Sequence, residues 1–423
     1  MIRKKRYTTI IFGKIATAVL ALAMVELALA IVPSARAVGN VEVTSEANYI
    51  FARQVTFRAT VQSDEALVEA VLFIKPEGQD EAKAGGPVEV NGGQLLAIYD
   101  LTQRPLRAFS TVEYRYQMIF QDGDTLTSEW FQFNYFDNRF NWQNLEMEAF
   151  SAHWYKGDVT FAQELLNVAQ AGLKRARDFL PVEMGEKVDI YVYDNSQDVQ
   201  AALQLSGQNW VAGHADPDLR VILVSLPEGP EQHLEMERQI PHELMHVLVY
   251  QLTGDDYKNL PTWLVEGLAS VNELYPNPDY QVLLENAYRS DGLLPLSSLC
   301  QVFPRDASSV LLAYAEAASF TSYLYQQYGR QRLNELVQGY ASGLGCERGT
   351  EHALGETLSR LEMRWRREAF AENTYLSTLG GLLPWLVLLL AALAAPFAQA
   401  FLSARRRGGV DYDLAKGAEK DGF

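Results

Sequence analysis

The stretch IPHELMHVLVY, residues 240–250, decides how the rest of the chain is read. In a helix, positions i and i+4 stand about 6 Å apart along the axis and about 40° apart around it. His242 and His246 would therefore present their imidazoles to a common point. Zn²⁺ takes nitrogen at about 2.0–2.1 Å, and catalytic zinc usually has three protein ligands so that water can fill the fourth place. A third ligand is thus required. Glu243 projects beside the pair rather than with it, where a carboxylate can act as a base on water. With six histidines in the chain, H-E-x-x-H arises by chance in on the order of one in a few hundred such sequences, so context has to carry the reading.

That context lies twenty residues past His246, where Glu266 sits in PTWLVEGLAS, a second stretch of helical spacing. An antiparallel neighbouring helix can return this carboxylate to the histidines, with TGDDYKNLP supplying the turn between. Ligating histidines need an acceptor for their second ring N–H, and Ser270, Asn272 and Glu273 are nearby. Pro241 lacks an N–H and suits the first turn of a helix or a kink just before the ligands.

The sequence resembles the gluzincin zinc metallopeptidases, and within them the bacterial peptidase MA-like family. The resemblance covers roughly residues 141–372. It rests on HELMH at 242–246, WLVEGLAS at 263–270 and, more loosely, AYAEAASFTSYLYQQYG at 313–329. It implies an enzyme that hydrolyses peptide bonds with one Zn²⁺ ion, held by His242, His246 and Glu266. It further implies Glu243 as general base and Tyr314 as hydrogen-bond donor to the developing oxyanion. The stripe Leu311, Tyr314, Ala318 and Thr321 equally makes Tyr314 a core residue. Aminopeptidases of this group carry a G-x-M-E-N stretch on the edge strand ahead of the zinc helix. The corresponding NWVAGHADPDLRVILV here has no such glutamate, which favours an endopeptidase or an unassigned peptidase whose edge strand, near Arg220–Leu226, pairs with the substrate backbone. His214 in this stretch reads either as a substrate contact or as a structural hydrogen-bonder. Two rivals remain: a catalytically silent gluzincin-like binding or scaffold protein, and a zinc hydrolase of a non-peptide amide or ester.

At 423 residues and 48% hydrophobic, the chain is long enough for two or three domains with cores of their own. Its net charge of −17 repels polyanions and argues against a nucleic-acid partner. The start reads as an export signal over 1–37: basic Arg3 to Arg6, an apolar run from Ile15 to Val32, then Ala35-Arg36-Ala37 as a small-x-small cleavage site. An uncleaved anchor is the alternative. A second apolar run, Leu379 to Leu402, has no charge and is long enough for a transmembrane helix. Arg405, Arg406 and Arg407 follow it, which puts the tail, 403–423, in the cytoplasm and the body outside. The expected location is thus the cell membrane, single-pass, with the catalytic domain extracytoplasmic. Cys300 and Cys346 are the only cysteines, and in an oxidising compartment they are expected to pair.

Within the body, residues 38–140 alternate apolar and polar positions in about seven short runs, among them QVTFRATV, VEAVLFIK and TVEYRYQMIF. Period two, with turn chemistry at Asn91-Gly92-Gly93 and Asp122-Gly123-Asp124, predicts an all-β sandwich of immunoglobulin or fibronectin type. From 141 to 375 the pattern mixes helix and strand. A helix from Asp158 to Leu180, strands KVDIYVYD and RVILVSL, and the helices carrying HELMH, PTWLVEGLAS and ASSVLLAYAEAASFTSYLYQQYG make one α+β domain. The expected partners are a peptide or protein substrate and, through the C-terminal helix, the membrane. Oligomeric state is not legible.

Overall fold

The computed structural model describes residues 41–203 and 213–370, with a few positions between 384 and 392. The export signal, the cytoplasmic tail and almost all of the apolar run 379–402 lie outside the described residues. Among the described residues no helix is long and apolar enough to cross a membrane. The chain divides between Arg139 and Phe140 into two compact units.

The first unit is all β. Its strands are β1 (Glu42–Ile50), β2 (Gln54–Gln62), β3 (Leu67–Pro76), β4 (Lys83–Asn91), β5 (Gln94–Asp100), β6 (Ser110–Phe120), β7 (Thr125–Thr127) and β8 (Phe131–Tyr135). They pair in the order β1-β2-β5-β4-β3-β6-β7, with β8 also on β6. Strand β4 is where this path folds over. Val88–Asn91 pair with β5, whereas Lys83–Pro87 pair with β3 across a register shift. One layer is then β1-β2-β5-β4 and the other β3-β6 with β7 and β8, the strand order of a constant-type immunoglobulin sandwich. The alternation in STVEYRYQMIF is the reason: every second side chain of β6, from Ser110 to Phe120, is buried. Tyr114 meets Phe57 of β2 with ring centroids 4.7 Å apart. Strand β4 was not among the runs expected from sequence, because Gly85-Gly86-Pro87 reads as a loop. Gly86 at φ +113° supplies the bend where the strand changes partners.

The second unit opens with a five-stranded sheet ordered β12-β13-β11-β10-β9. Its strands are β9 (Gln143–Met147), β10 (Phe150–Trp154), β11 (Val188–Tyr193), β12 (Gly213–Asp216) and β13 (Val221–Ser225). Strands β10, β11 and β13 are parallel, and β9 and β12 run antiparallel at the edges. Helix α1 (Val159–Phe179) joins β10 to β11, and α2 (Ser196–Leu203) follows β11. Asp158 caps α1 by accepting from the amides of Thr160 and Phe161. Its stripe from Ala162 to Ala176 shares a core with Ile190, Ile222 and Val224 of the sheet and Leu244 and Leu248 of the next helix.

The rest is helical: α3 (Gln232–Thr253), a 3₁₀ turn (Gly254–Asn259), α4 (Thr262–Asn272), α5 (Asp279–Arg289), α6 (Ala307–Ala341, interrupted at Gly329), α7 (Cys346–Leu354) and α8 (358–370). Cys300 and Cys346 form a disulfide across 46 residues. In the chain-entropy account such a closure contributes roughly 4 kcal/mol.

One expectation is corrected here and another is narrowed. Arg220–Leu226 does not form the sheet edge: β13 lies between β11 and β12, and the edge strand is β12, only four residues long. Pro241 is not in the first turn of its helix; of the two places expected for it, it takes the one just before the ligands, inside α3 and directly ahead of His242. The carbonyl it leaves without an intrahelical donor, that of Glu237, accepts instead from the Leu274 amide at 3.0 Å. Asn272 Nδ2 donates to the Pro241 carbonyl at 2.7 Å. The helix keeps its path because the end of α4 takes up the broken bond.

Candidate metal centre

Helix α3 places His242 and His246 one turn apart on one face, with ring centroids 5.2 Å apart. The 3₁₀ turn leads from this helix into α4, which brings Glu266 up to both rings. Glu266 Oε2 lies 3.4 Å from His242 Nε2 and 3.8 Å from His246 Nε2. Gly267 explains how α4 comes so near α6: a Cβ there would run into Thr321 Oγ1 and the Ala317 carbonyl. Among the described residues, His242, His246 and Glu266 are the one group of three such donors close enough to hold a metal ion, with one ligand atom from each within 4.8 Å of the others. Tetrahedral zinc with bonds of about 2.0–2.1 Å separates its donors by about 3.3 Å, so the set fits that ion after small side-chain adjustments.

Both imidazoles are held from behind. His242 Nδ1 is 3.0 Å from Glu273 Oε1, and His246 Nδ1 is 2.9 Å from the Tyr257 hydroxyl. These bonds turn both Nε2 atoms toward Glu266, the arrangement a neutral imidazole needs to act as a ligand. Of the three neighbours expected from sequence, Glu273 takes this role; Asn272 anchors the Pro241 carbonyl instead. Tyr257 was not anticipated, since a tyrosine in a polar turn carries no periodicity to place it.

Glu243 is buried, 8% exposed, against β12. A Cβ at Gly213 would stand 2.8 Å from Glu243 Oε1, so the absence of a side chain at 213 leaves the carboxylate its room. Burial raises the Glu243 carboxyl to about 7, opposed by the imidazoles of His242 and His214. Burial also lowers His246 to about 4. Around His242 burial disfavours the charge, yet Glu266 and Glu273 more than offset it and hold its ring well above the ordinary imidazole value. For Glu266 burial again opposes the charge, and the two histidines overcome it, lowering its carboxyl. Three carboxylates crowd two imidazoles in a site of low polarity, an excess of negative charge that a divalent cation would balance.

A cleft of about 310 Å³ opens onto this group. Its walls include Gly213, His214, Tyr257 and Tyr314 beside His242, Glu243, His246 and Glu266. Tyr314 lines the cleft and also packs against the core. It packs against Phe303, centroids 5.2 Å apart, and faces His242 at 6.3 Å. Burial, then the nearby Glu266 and Glu243 carboxylates, raise its hydroxyl well above the usual phenol value, so it stays a proton donor. His214, with Nε2 3.4 Å from Asp216 Oδ1, reaches the same cleft from the edge strand. His153 pairs with Asp189 at 2.7 Å outside the cleft.

Residues 168–371 match the model of the Peptidase MA superfamily. No curated protein matches the chain. Among solved structures, the chain is similar to a mutant M1 zinc metallopeptidase from Deinococcus radiodurans, with 11% identity over 78% of this chain and 94% of that one and a TM-score of 0.33. It is also similar to a mutant two-domain M1 zinc metallopeptidase bound to L-arginine, with 11% identity over 78% of this chain and 93% of that one and a TM-score of 0.32. A structure of a myokine is similar over 22% of this chain and 93% of its own, at 14% identity and a TM-score of 0.18. The segment that the Peptidase MA superfamily model matches, residues 168–371, is the one that carries His242, Glu243, His246 and Glu266.

Proposed function

We propose that this chain is a membrane-anchored, extracytoplasmic zinc peptidase that hydrolyses peptide bonds within longer chains. The convergence of His242 Nε2, His246 Nε2 and Glu266 Oε2 next to a buried Glu243 carries the reading. Bound zinc supplies Lewis acidity, bringing the pKa of water toward about 7 and polarising a carbonyl. Glu243 then takes the proton from the attacking water and hands it to the departing amine nitrogen, as a carboxyl with a value near neutrality can do in both directions. The Tyr314 hydroxyl donates to the oxygen on which charge develops. The cleft-side edge of β12 offers main-chain groups to an extended substrate, and Gly213–Asp216 holds no glutamate to grip a free amino terminus.

Digestion of a peptide library by the full chain, with and without a chelator, tests this. The expected result is cleavage at internal bonds that stops on chelation and returns with zinc. Stoichiometric zinc without cleavage of any peptide would favour the silent scaffold, and turnover of esters alone the non-peptide hydrolase.

The external location is supported by the Cys300–Cys346 disulfide, a bond that persists in oxidising compartments, and by the three arginines that follow the charge-free run at 379–402. Protease shaving of intact cells is expected to release the body and spare a fragment ending in the arginine-rich tail. A body that resists shaving until the cells are lysed would overturn this orientation.

A further inference from the structure

The two imidazoles of the centre are backed by unlike groups. His242 has a carboxylate, Glu273, which is 3% exposed. His246 has a neutral phenol, Tyr257. The turn Gly254–Asn259 that carries this phenol is otherwise turned to solvent: of its six residues only Tyr257 points inward, and the other five are exposed. The turn is also tied down. Asn259 Nδ2 donates to the Ala341 carbonyl at 2.9 Å, and the Leu260 amide donates to the Tyr257 carbonyl at 3.1 Å. A polar loop has been fixed so that one aromatic hydroxyl meets one ring nitrogen.

We propose that Tyr257 is a positioning residue for His246, fixing the tautomer and rotation that aim Nε2 at the metal; this rests on the zinc reading above. When Nε2 is the ligand, Nδ1 carries the proton, and the Tyr257 oxygen is the acceptor that keeps it there. A carboxylate acceptor draws on the N–H proton and makes its imidazole a stronger donor to the metal, whereas a phenol does so weakly. His242 is therefore the stronger nitrogen ligand and His246 the weaker one. With one carboxylate-backed and one phenol-backed imidazole, this pair would neutralise a bound cation less than two carboxylate-backed histidines would, favouring acidification of water over tight binding.

Zinc affinity of the full chain, measured by competition with a chromogenic chelator, tests this without relying on turnover. Tyr257→Phe removes one oxygen and is expected to weaken zinc binding about 10–100-fold. It should also shift the visible absorption of the Co²⁺-substituted protein, while the melting temperature of the metal-free chain stays with the parent. Tyr250→Phe is the control: its hydroxyl bonds Asp255 in the same turn at 3.1 Å, and its ring lies 6.0 Å from Tyr257. It should leave both metal readouts unchanged. Zinc affinity in Tyr257→Phe within about twofold of the parent, or an equal loss in Tyr250→Phe, overturns the assignment. A parent chain that takes up no zinc at all overturns the zinc reading itself.

Discussion

Glu243→Gln is expected to bind zinc in the parent stoichiometry and to lose peptide hydrolysis by about 10³-fold, within the range that a general acid–base group contributes. The amide keeps the shape of the carboxylate in the pocket that Gly213 leaves open, so the change is one of proton chemistry. A carboxyl that burial raises to about 7 can both accept and return a proton near neutral pH; an amide can do neither. Metal content by elemental analysis and cleavage of a fluorogenic peptide, measured on the same preparation, separate the two functions. Hydrolysis persisting at the parent rate in a zinc-loaded Glu243→Gln protein would remove Glu243 from the reaction.

The loss of a ligand should cost both functions. His246→Ala takes away one of two nitrogens, and Glu266→Ala takes away the carboxylate that both histidines face at 3.4 and 3.8 Å. Zinc affinity should fall in each by more than the roughly 10–100-fold expected from loss of an outer hydrogen bond, and hydrolysis should disappear with it. Calorimetry gives an independent reading. A ligand that binds only the folded state raises its melting temperature by mass action, so added zinc should raise that of the parent and leave those of His246→Ala and Glu266→Ala where they were. A zinc-induced rise in Glu266→Ala equal to that of the parent would show that the third ligand has been wrongly chosen.

The features legible in the sequence are those that a repeating geometry encodes. The pairing of His242 with His246 follows from helical spacing, and Glu266 from a second helix at a turn's remove. The strands of the first unit announce themselves by strict alternation, as in β6. What escaped was set by tertiary contact or by turns. Strand β4 hides in Gly85-Gly86-Pro87, whose composition describes a loop although its neighbours on both sides make it a strand. The edge of the second sheet fell to β12 rather than β13, because VILVS is apolar enough for an interior place between two neighbours and GHAD is short and polar. Helix α6 continues beyond Gly329, where local propensity marks a stop and packing of Leu333, Leu336 and Val337 restarts the helix. Tyr257 and Glu273 were invisible or unranked for a similar reason: their value lies in which ring nitrogen they meet.

The proline inside α3 bears on how the centre is assembled. Its missing amide hydrogen leaves the Glu237 carbonyl to Leu274, and Asn272 returns a second bond to Pro241 itself. These bonds staple the segment that bears Glu273 to the helix that bears both histidines, and they are made of main-chain and carboxamide groups that borrow nothing from an ion. The scaffold thus has ties of its own between the two ligand-bearing segments. Uptake of zinc need not be coupled to folding, which is the difference between a metal that builds a domain and one that arrives to work in it.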